Sequence, residues 1–211
     1  MYINEIFYSI QGEGLTTGKR TVFIRTAGCN LRCTWCDTKY AYSDGKEYTV
    51  DELLKTISKF DCNDVSVTGG EPLIQKDIYK LIDKLLKSKK NVLLETGGSI
   101  SIKELRNSCN SDRLMISMDI KCPSSKMDSK NCFSNIRYLR KIDQLKFVIQ
   151  NRNDYDYAKR VIKKYRPKCE IILQPEFSVS AKISQSLVEW ILEDKLDVRL
   201  MCQMHKNIGL R

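Results

Sequence analysis

No apolar run in this 211-residue chain approaches the roughly 20 residues that a membrane-spanning helix needs, so no membrane partner is expected. The opening Met1-Tyr2-Ile3-Asn4-Glu5 carries an acid early and lacks the apolar stretch of a secretory leader, and a cytoplasmic location is expected. No internal repeat, low-complexity segment or interdomain linker appears, so one domain over residues 1–211 is expected. There is no Arg-rich tail and no interleaving of aromatic and basic residues of the single-strand-binding kind. The net charge of +10 is instead spread along helical stretches such as Lys84-Leu85-Leu86-Lys87-Ser88-Lys89-Lys90, a solvated face, and no nucleic acid is expected as partner. An anionic substrate remains compatible with that charge. Hydrophobic residues at 42% and charged residues at 29% leave enough apolar material for one buried core.

What the chain does have is cysteine. Nine cysteines in a reducing compartment argue for metal rather than for disulfides. Three of them, Cys29, Cys33 and Cys36, fall in Cys-Asn-Leu-Arg-Cys-Thr-Trp-Cys-Asp-Thr, at spacings of four and three. They follow a strand-like run, Thr21–Thr26, and a Gly28 that lets the chain turn. Three sulfurs do not close a tetrahedral zinc site. They can hold three corners of a cubane iron–sulfur cluster and leave one iron open to a small molecule. Two other readings stand beside this one: a zinc knuckle completed by Cys62 or His205, and three free thiols. Cys62, Cys109, Cys122, Cys132, Cys169 and Cys202 show no metal spacing and read as small apolar or surface side chains.

Around that loop, strands alternate with helices. Strands are expected over Tyr2–Ser9, Thr21–Thr26, Asp64–Thr68, Asn91–Thr96, Leu114–Ile120, Gln144–Ile149, Glu170–Gln174 and Asp197–Gln203. Helices are expected near Val50–Phe60, opened by the capping box Thr49-Val50-Asp51-Glu52, and near Asp77–Lys87, Ile102–Arg106, Asn153–Tyr165 and Ser184–Leu192. A short helical stretch is expected at Ile136–Leu139. This order predicts an α/β fold with a mostly parallel sheet and right-handed crossovers. Sites in such sheets lie beyond the C-terminal strand ends. Arg25, the three cysteines, Thr68–Glu71, Glu95–Gly98, Lys121 and Gln174 all fall at or just past those ends. In Thr68-Gly69-Gly70-Glu71-Pro72, two glycines expose backbone and Glu71 is placed to hold an ammonium. In Gln11-Gly12-Glu13-Gly14, two glycines bracket an acid in a tight loop. Arg25 is placed to fork onto a carboxylate.

Cys-x3-Cys-x2-Cys with Trp35 before the last cysteine matches the signature of radical S-adenosylmethionine (SAM) enzymes. With the Gln11–Gly14 loop, Phe23–Leu31, Cys36-Asp37-Thr38, Thr68–Pro72, Pro123-Ser124-Ser125, Leu173-Gln174-Pro175 and Gln203-Met204-His205-Lys206, the chain resembles the 7-carboxy-7-deazaguanine synthases nearly end to end. These are small radical SAM enzymes of the queuosine and archaeosine pathways. The resemblance implies a partial (β/α) barrel. It implies conversion of 6-carboxy-5,6,7,8-tetrahydropterin to 7-carboxy-7-deazaguanine with loss of ammonia, through a 5′-deoxyadenosyl radical and with SAM as cofactor. It also implies a 4Fe-4S cluster on Cys29, Cys33 and Cys36. SAM contacts are implied from Trp35, Cys36, Asp37, Gly70, Lys121 and Gln174, and from Asp119 and Ile120, which stand where relatives have Ser-Pro. Substrate contacts are implied from Ile10, Gln11, Gly12, Glu13, Arg25, Thr68 and the terminal Arg211. Mg²⁺ on Thr38, a flavodoxin or ferredoxin as electron donor and a homodimer complete the expectation. The competing functions are a glycyl-radical enzyme activating enzyme, and a cluster- or zinc-bearing nucleic-acid-binding module.

Overall fold

The computed structural model describes residues 1–178 and 181–210. Nine strands form one sheet: β1 (Tyr2–Ile10), β2 (Arg20–Thr26), β3 (Lys46–Glu47), β4 (Asp64–Gly69), β5 (Asn91–Thr96), β6 (Leu114–Ile120), β7 (Gln144–Ile149), β8 (Glu170–Pro175) and β9 (Arg199–Leu200). Their order is β3-β1-β2-β4-β5-β6-β7-β8-β9. From β2 to β9 every neighbour is parallel; β1 is antiparallel to β2 and to β3. The helices are α1 (Val50–Ile57), α2 (Ile78–Lys87), α3 (Lys103–Ser108), α4 (Arg152–Tyr165), α5 (Ala181–Glu193) and α6 (Met204–Asn207). Among the described residues, no helix is long and apolar enough to cross a membrane.

Strand alternation sorts the core from the site. One face carries Val22 and Ile24, Val65 and Val67, Val92 and Leu94, Ile116, Met118 and Ile120, and Leu145, Phe147 and Ile149, all buried. Leu53, Leu81, Leu85, Leu105, Tyr155 and Ala158 of the helices join them in one continuous cluster. The other face carries Arg25, Thr68, Glu95, Asp119, Lys146 and Gln174, and all six line a single cavity. The six strands that carry them, laid flat at about 4.8 Å spacing, would span roughly 24 Å, too wide for one cavity, so the sheet wraps into an open partial barrel.

The helix starts follow from side-chain caps. Thr49 and Glu52 close the capping box on α1, with Thr49 N–H donating to Glu52 at 2.7 Å and Glu52 N–H to Thr49 Oγ1 at 3.2 Å. Asn151 caps α4 by accepting the Asp154 N–H at 3.1 Å. Three expected elements differ. α1 stops at Ile57 rather than Phe60. The Ile136–Leu139 stretch is a 3₁₀ turn over Phe133–Tyr138. The last strand is two residues long, because after Leu200 the chain leaves the sheet and folds over the Gln11–Gly14 loop instead.

Candidate active site

The cavity encloses about 780 Å³ at the C-terminal ends of the parallel strands. The cysteine loop lines it. Arg32 braces it, Nη1 donating to the carbonyls of Cys29 and Leu31 at 2.7 Å each. The Gly69-Gly70 turn after β4 packs on this loop backbone to backbone: Glu71 N–H donates to the Gly28 carbonyl at 2.8 Å. A Cβ on Gly70 would sit 2.0 Å from that same carbonyl oxygen, so only glycine permits the approach. Burial pushes the thiols of Cys29 and Cys33 up, and a bound metal would favour their thiolate forms.

The zinc reading finds no support here. Each of the two residues that could complete a zinc knuckle is engaged elsewhere. Cys62 is buried, its thiol donating to the carbonyls of Arg20 and Asp64 at 3.2 and 3.4 Å. His205 lies against Gly12, on the Gln11–Gly14 loop. Three loop cysteines facing one cavity suit a cubane, in which each thiolate binds a different iron.

Trp35, Cys36, Asp37, Gly70, Asp119, Lys121 and Gln174 line the cavity along with the cysteines. Gln174 is 3% exposed, and its Oε1 is buried without a hydrogen-bond partner. A buried acceptor without a donor, facing a cavity, suits a ligand rich in N–H and O–H groups such as SAM. Lys121 Nζ lies 2.7 Å from Asp119 Oδ2. Ile120 is a correction. Alternation along β6 turns its side chain to the opposite face, where it is 1% exposed within the apolar core, so the side chain makes no cofactor contact. Glu71 is another. It is fully buried, and it accepts from Leu73 N–H at 3.1 Å, Thr96 Oγ1 at 2.9 Å and Gly97 N–H at 2.7 Å, so it clamps two turns together and holds no ammonium.

Ile10, Gln11, Gly12, Glu13, Arg25, Thr38 and Thr68 also line the cavity. Arg25 Nε donates to Glu5 Oε1 at 2.7 Å, across the Glu5–Arg25 register pair of β1 and β2. Its guanidinium carbon lies 5.5 Å from the Phe7 ring centre and 5.8 Å from that of Tyr40. Among the described residues, Arg25 makes no other side-chain hydrogen bond, so its two terminal nitrogens are left for a ligand. Glu95 gathers Gln11 Nε2 at 2.9 Å, Ser66 Oγ at 3.1 Å and Thr68 Oγ1 at 3.0 Å. Thr38 Oγ1 donates to Asp37 Oδ1 at 2.8 Å, which leaves its lone pairs open. Asp37 also pairs with Lys206 Nζ at 2.7 Å. Arg211 lies outside the described residues.

Sequence reasoning missed Glu5, Tyr40 and Lys146, and Lys206 as the partner of Asp37. For Lys146 a signal existed. Gln144, Lys146 and Val148 alternate with Leu145, Phe147 and Ile149, so a charge sits on the cavity face of an otherwise buried strand.

The fold and site together define the class. A family model described as "Radical SAM superfamily" matches residues 23–171, and the chain belongs to that superfamily. Among curated relatives, a 7-carboxy-7-deazaguanine synthase from Thermoplasma acidophilum is 41% identical over 99% of this chain and 97% of its own length. Another of that name, from Methanospirillum hungatei, is 40% identical over 100% of this chain and 86% of its own. Within the superfamily, the chain belongs to the 7-carboxy-7-deazaguanine synthase family. The fold is also that of QueE from Escherichia coli, with a TM-score of 0.80 at 23% identity, covering 97% of this chain and 94% of that one. SuiB from Streptococcus suis, solved bound to S-adenosylmethionine, shares the fold with a TM-score of 0.60 at 12% identity, over 85% of this chain and 46% of that one.

Proposed function

We propose that the chain, as a single domain over residues 1–211, converts 6-carboxy-5,6,7,8-tetrahydropterin to 7-carboxy-7-deazaguanine with release of ammonia. The observation that carries this reading is one cavity lined by two differently built sets of residues. One set is the cysteines, Gly70, Lys121 and the unpartnered Gln174 Oε1; the other is Arg25 and the Gln11–Glu13 loop. When bound, the 4Fe-4S cluster and SAM supply the one-electron reduction and the hydrogen-abstracting radical.

The chain's own residues bind, orient and exclude water. Cys29, Cys33 and Cys36 hold three irons. Gly70 offers backbone, and Trp35, Asp37, Asp119, Lys121 and Gln174 offer side chains, to SAM. Arg25 forks onto the substrate carboxylate, with Glu5, Phe7 and Tyr40 fixing the plane of its guanidinium. Ile10, Gln11, Gly12, Glu13 and Thr68 wall the pterin ring. Thr38 fits Mg²⁺ because its proton is given to Asp37 and its oxygen stays free; a hard hydroxyl oxygen, with substrate and water, suits that ion. Arg211 is retained as a substrate contact, and the chain is read as a cytoplasmic homodimer reduced by a flavodoxin or ferredoxin. A glycyl-radical activating enzyme would have no use for a partly buried arginine poised over a small cavity.

The test is anaerobic cluster reconstitution followed by incubation with SAM, reductant and the carboxytetrahydropterin, watched by mass spectrometry. Formation of 7-carboxy-7-deazaguanine, abolished in Cys33→Ala, is expected. SAM cleavage without that product would leave a radical SAM enzyme of another substrate.

A further inference from the structure

The Gln11–Gly14 loop rests on β7, and β7 touches it with two consecutive cavity-face residues. Gln144 Oε1 accepts the Leu15 N–H at 2.8 Å, 129 positions away in the chain, while Gln144 Nε2 donates to Ser117 Oγ at 2.7 Å. Gly14 has φ +69°, and a Cβ there would lie 2.1 Å from Gln144 Nε2. Two residues on, Lys146 Nζ donates to Glu13 Oε2 at 2.5 Å, across 133 positions. From the other side, Gln203 Nε2 donates to Glu13 Oε1 at 2.5 Å, and Met204 N–H donates to the Gly12 carbonyl at 2.9 Å. Both Glu13 oxygens are therefore taken by the protein. Its carboxylate anchors the loop.

The charges show what makes that anchor hold. Lys146 is 7% exposed at its side chain. It is faced by Glu13 from the loop after β1, Asp119 of β6 at 3.7 Å and Glu95 of β5, with Lys121 beyond Asp119. Burial alone would push this ammonium down; the three carboxylates outweigh it and keep it charged. Burial would likewise push the Glu13 carboxyl up, and Lys146 is the cation that holds it below its usual range. Without Lys146, Glu13 would be a buried carboxylate facing a second one, Asp119, with only the neutral Gln203 to pair with.

Resting on the reading of this loop as the pterin site, we propose that Lys146 is a positioning residue for the substrate. By holding Glu13 as a carboxylate, it fixes the Gln11–Gly14 backbone in the shape that receives the ring. Asp119, the one residue offered to SAM that Lys146 approaches, keeps its shorter pairing with Lys121, so SAM binding does not depend on Lys146.

The test is anaerobic calorimetric titration of the carboxytetrahydropterin into the cluster-loaded, SAM-bound enzyme. Wild type, Lys146→Met, Glu13→Gln and the double variant are compared at about pH 6 and about pH 8. Lys146→Met is expected to weaken pterin binding about tenfold or more, and more at the lower pH, where the unpaired Glu13 takes up a proton. Iron content and SAM affinity should stay within about twofold of wild type, and the double variant should bind about as Glu13→Gln does. If Lys146→Met fails to hold its cluster, Glu13→Gln must show the same selective loss. Pterin affinity within about twofold of wild type in either single variant, or losses that simply add in the double variant, would overturn the proposal. A wild type that binds SAM and no pterin would overturn the functional reading itself.

Discussion

Glu71 and Gly97 are joined by a buried hydrogen bond: Glu71 Oε2 accepts the Gly97 N–H at 2.7 Å, with no solvent exposure at Glu71. The bond ties the turn after β4 to the turn after β5. Since Glu71 N–H also holds the Gly28 carbonyl, the same residue links both turns to the cysteine loop. Glutamine cannot replace it. One end of a glutamine side chain is a donor, and both the Leu73 and Gly97 amides are fixed donors. Glu71→Gln is therefore expected to cost about 1–3 kcal/mol, the usual penalty for a buried group left unsatisfied. It should also weaken SAM binding by loosening Gly70. Urea unfolding and SAM titration together check this. Loss of SAM affinity with no change in the unfolding midpoint would mean that Glu71 touches the cofactor and is not a clamp.

How much of this was legible in the sequence varies by residue. The cysteine loop and the Gly-Gly turn were, because both sit where apolar strand runs end, and spacing marks such places directly. The parallel sheet was, because short apolar runs such as Val92–Leu94 and Phe147–Ile149 alternate along the chain with helical segments. What was not legible depends on pairing. Glu5 reaches Arg25 only through the antiparallel β1–β2 register, and Lys146 reaches Glu13 across 133 positions. The misreadings of Ile120 and Glu71 have the same origin. A position past a strand end says that a residue is near the site, whereas the alternation of faces and the neighbouring turn decide where its side chain goes. The shortened β9 follows from competition: Gln203 and Met204 gain partners on the Gln11–Gly14 loop that the edge of the sheet does not offer.

Arg25→Lys should separate substrate binding from SAM binding. The arginine spends Nε on Glu5 and keeps two nitrogens for a fork; lysine has one nitrogen for both tasks. Loss of the charge-assisted fork should cost about 2–5 kcal/mol in pterin binding and leave SAM affinity unchanged. A decarboxylated pterin analogue should bind both forms alike. If that analogue discriminates between them as strongly as the substrate does, Arg25 contacts the ring and not the carboxylate.

Asp143 provides a test of the scaffold apart from the chemistry. It is fully buried and does not line the cavity. It pairs with Arg106 of α3 and accepts the N–H groups of Ile116 at 2.8 Å and Arg140 at 2.5 Å. Asp143→Ala would leave the Arg106 guanidinium buried and uncompensated, which typically costs about 3–5 kcal/mol. The expected outcome is a large drop in unfolding free energy. A variant within about 1 kcal/mol of wild type would show that water or the Leu114 carbonyl, 3.5 Å from Arg106 Nη1, had taken over the pairing.

The acid limb of stability should report the Glu13–Lys146 contact. Burial acts to raise the Glu13 carboxyl, but Lys146 and Gln203 outweigh it, and the folded value lies below the ordinary 4.5. Burial likewise opposes Lys121 and Lys146 at Asp119, and the two lysines again prevail, leaving it below 3.8. A carboxyl depressed by folding adds stability that is complete above its unfolded value and is lost as pH falls through its folded one. For Glu13 that contribution is whole above 4.5 and disappears only below it. Glu71 works in the opposite sense, since burial raises it despite its donors, so the total curve mixes both signs. Comparing wild type with Glu13→Gln isolates one of them. The stability difference between the two should be constant from neutral pH down to 4.5 and should shrink below it. Urea unfolding of the cluster-free chain across that range measures it without cluster loss entering. A difference that already shrinks between pH 7 and 5.5 would place the Glu13 carboxyl above its ordinary range and would mean that Lys146 does not hold it ionised.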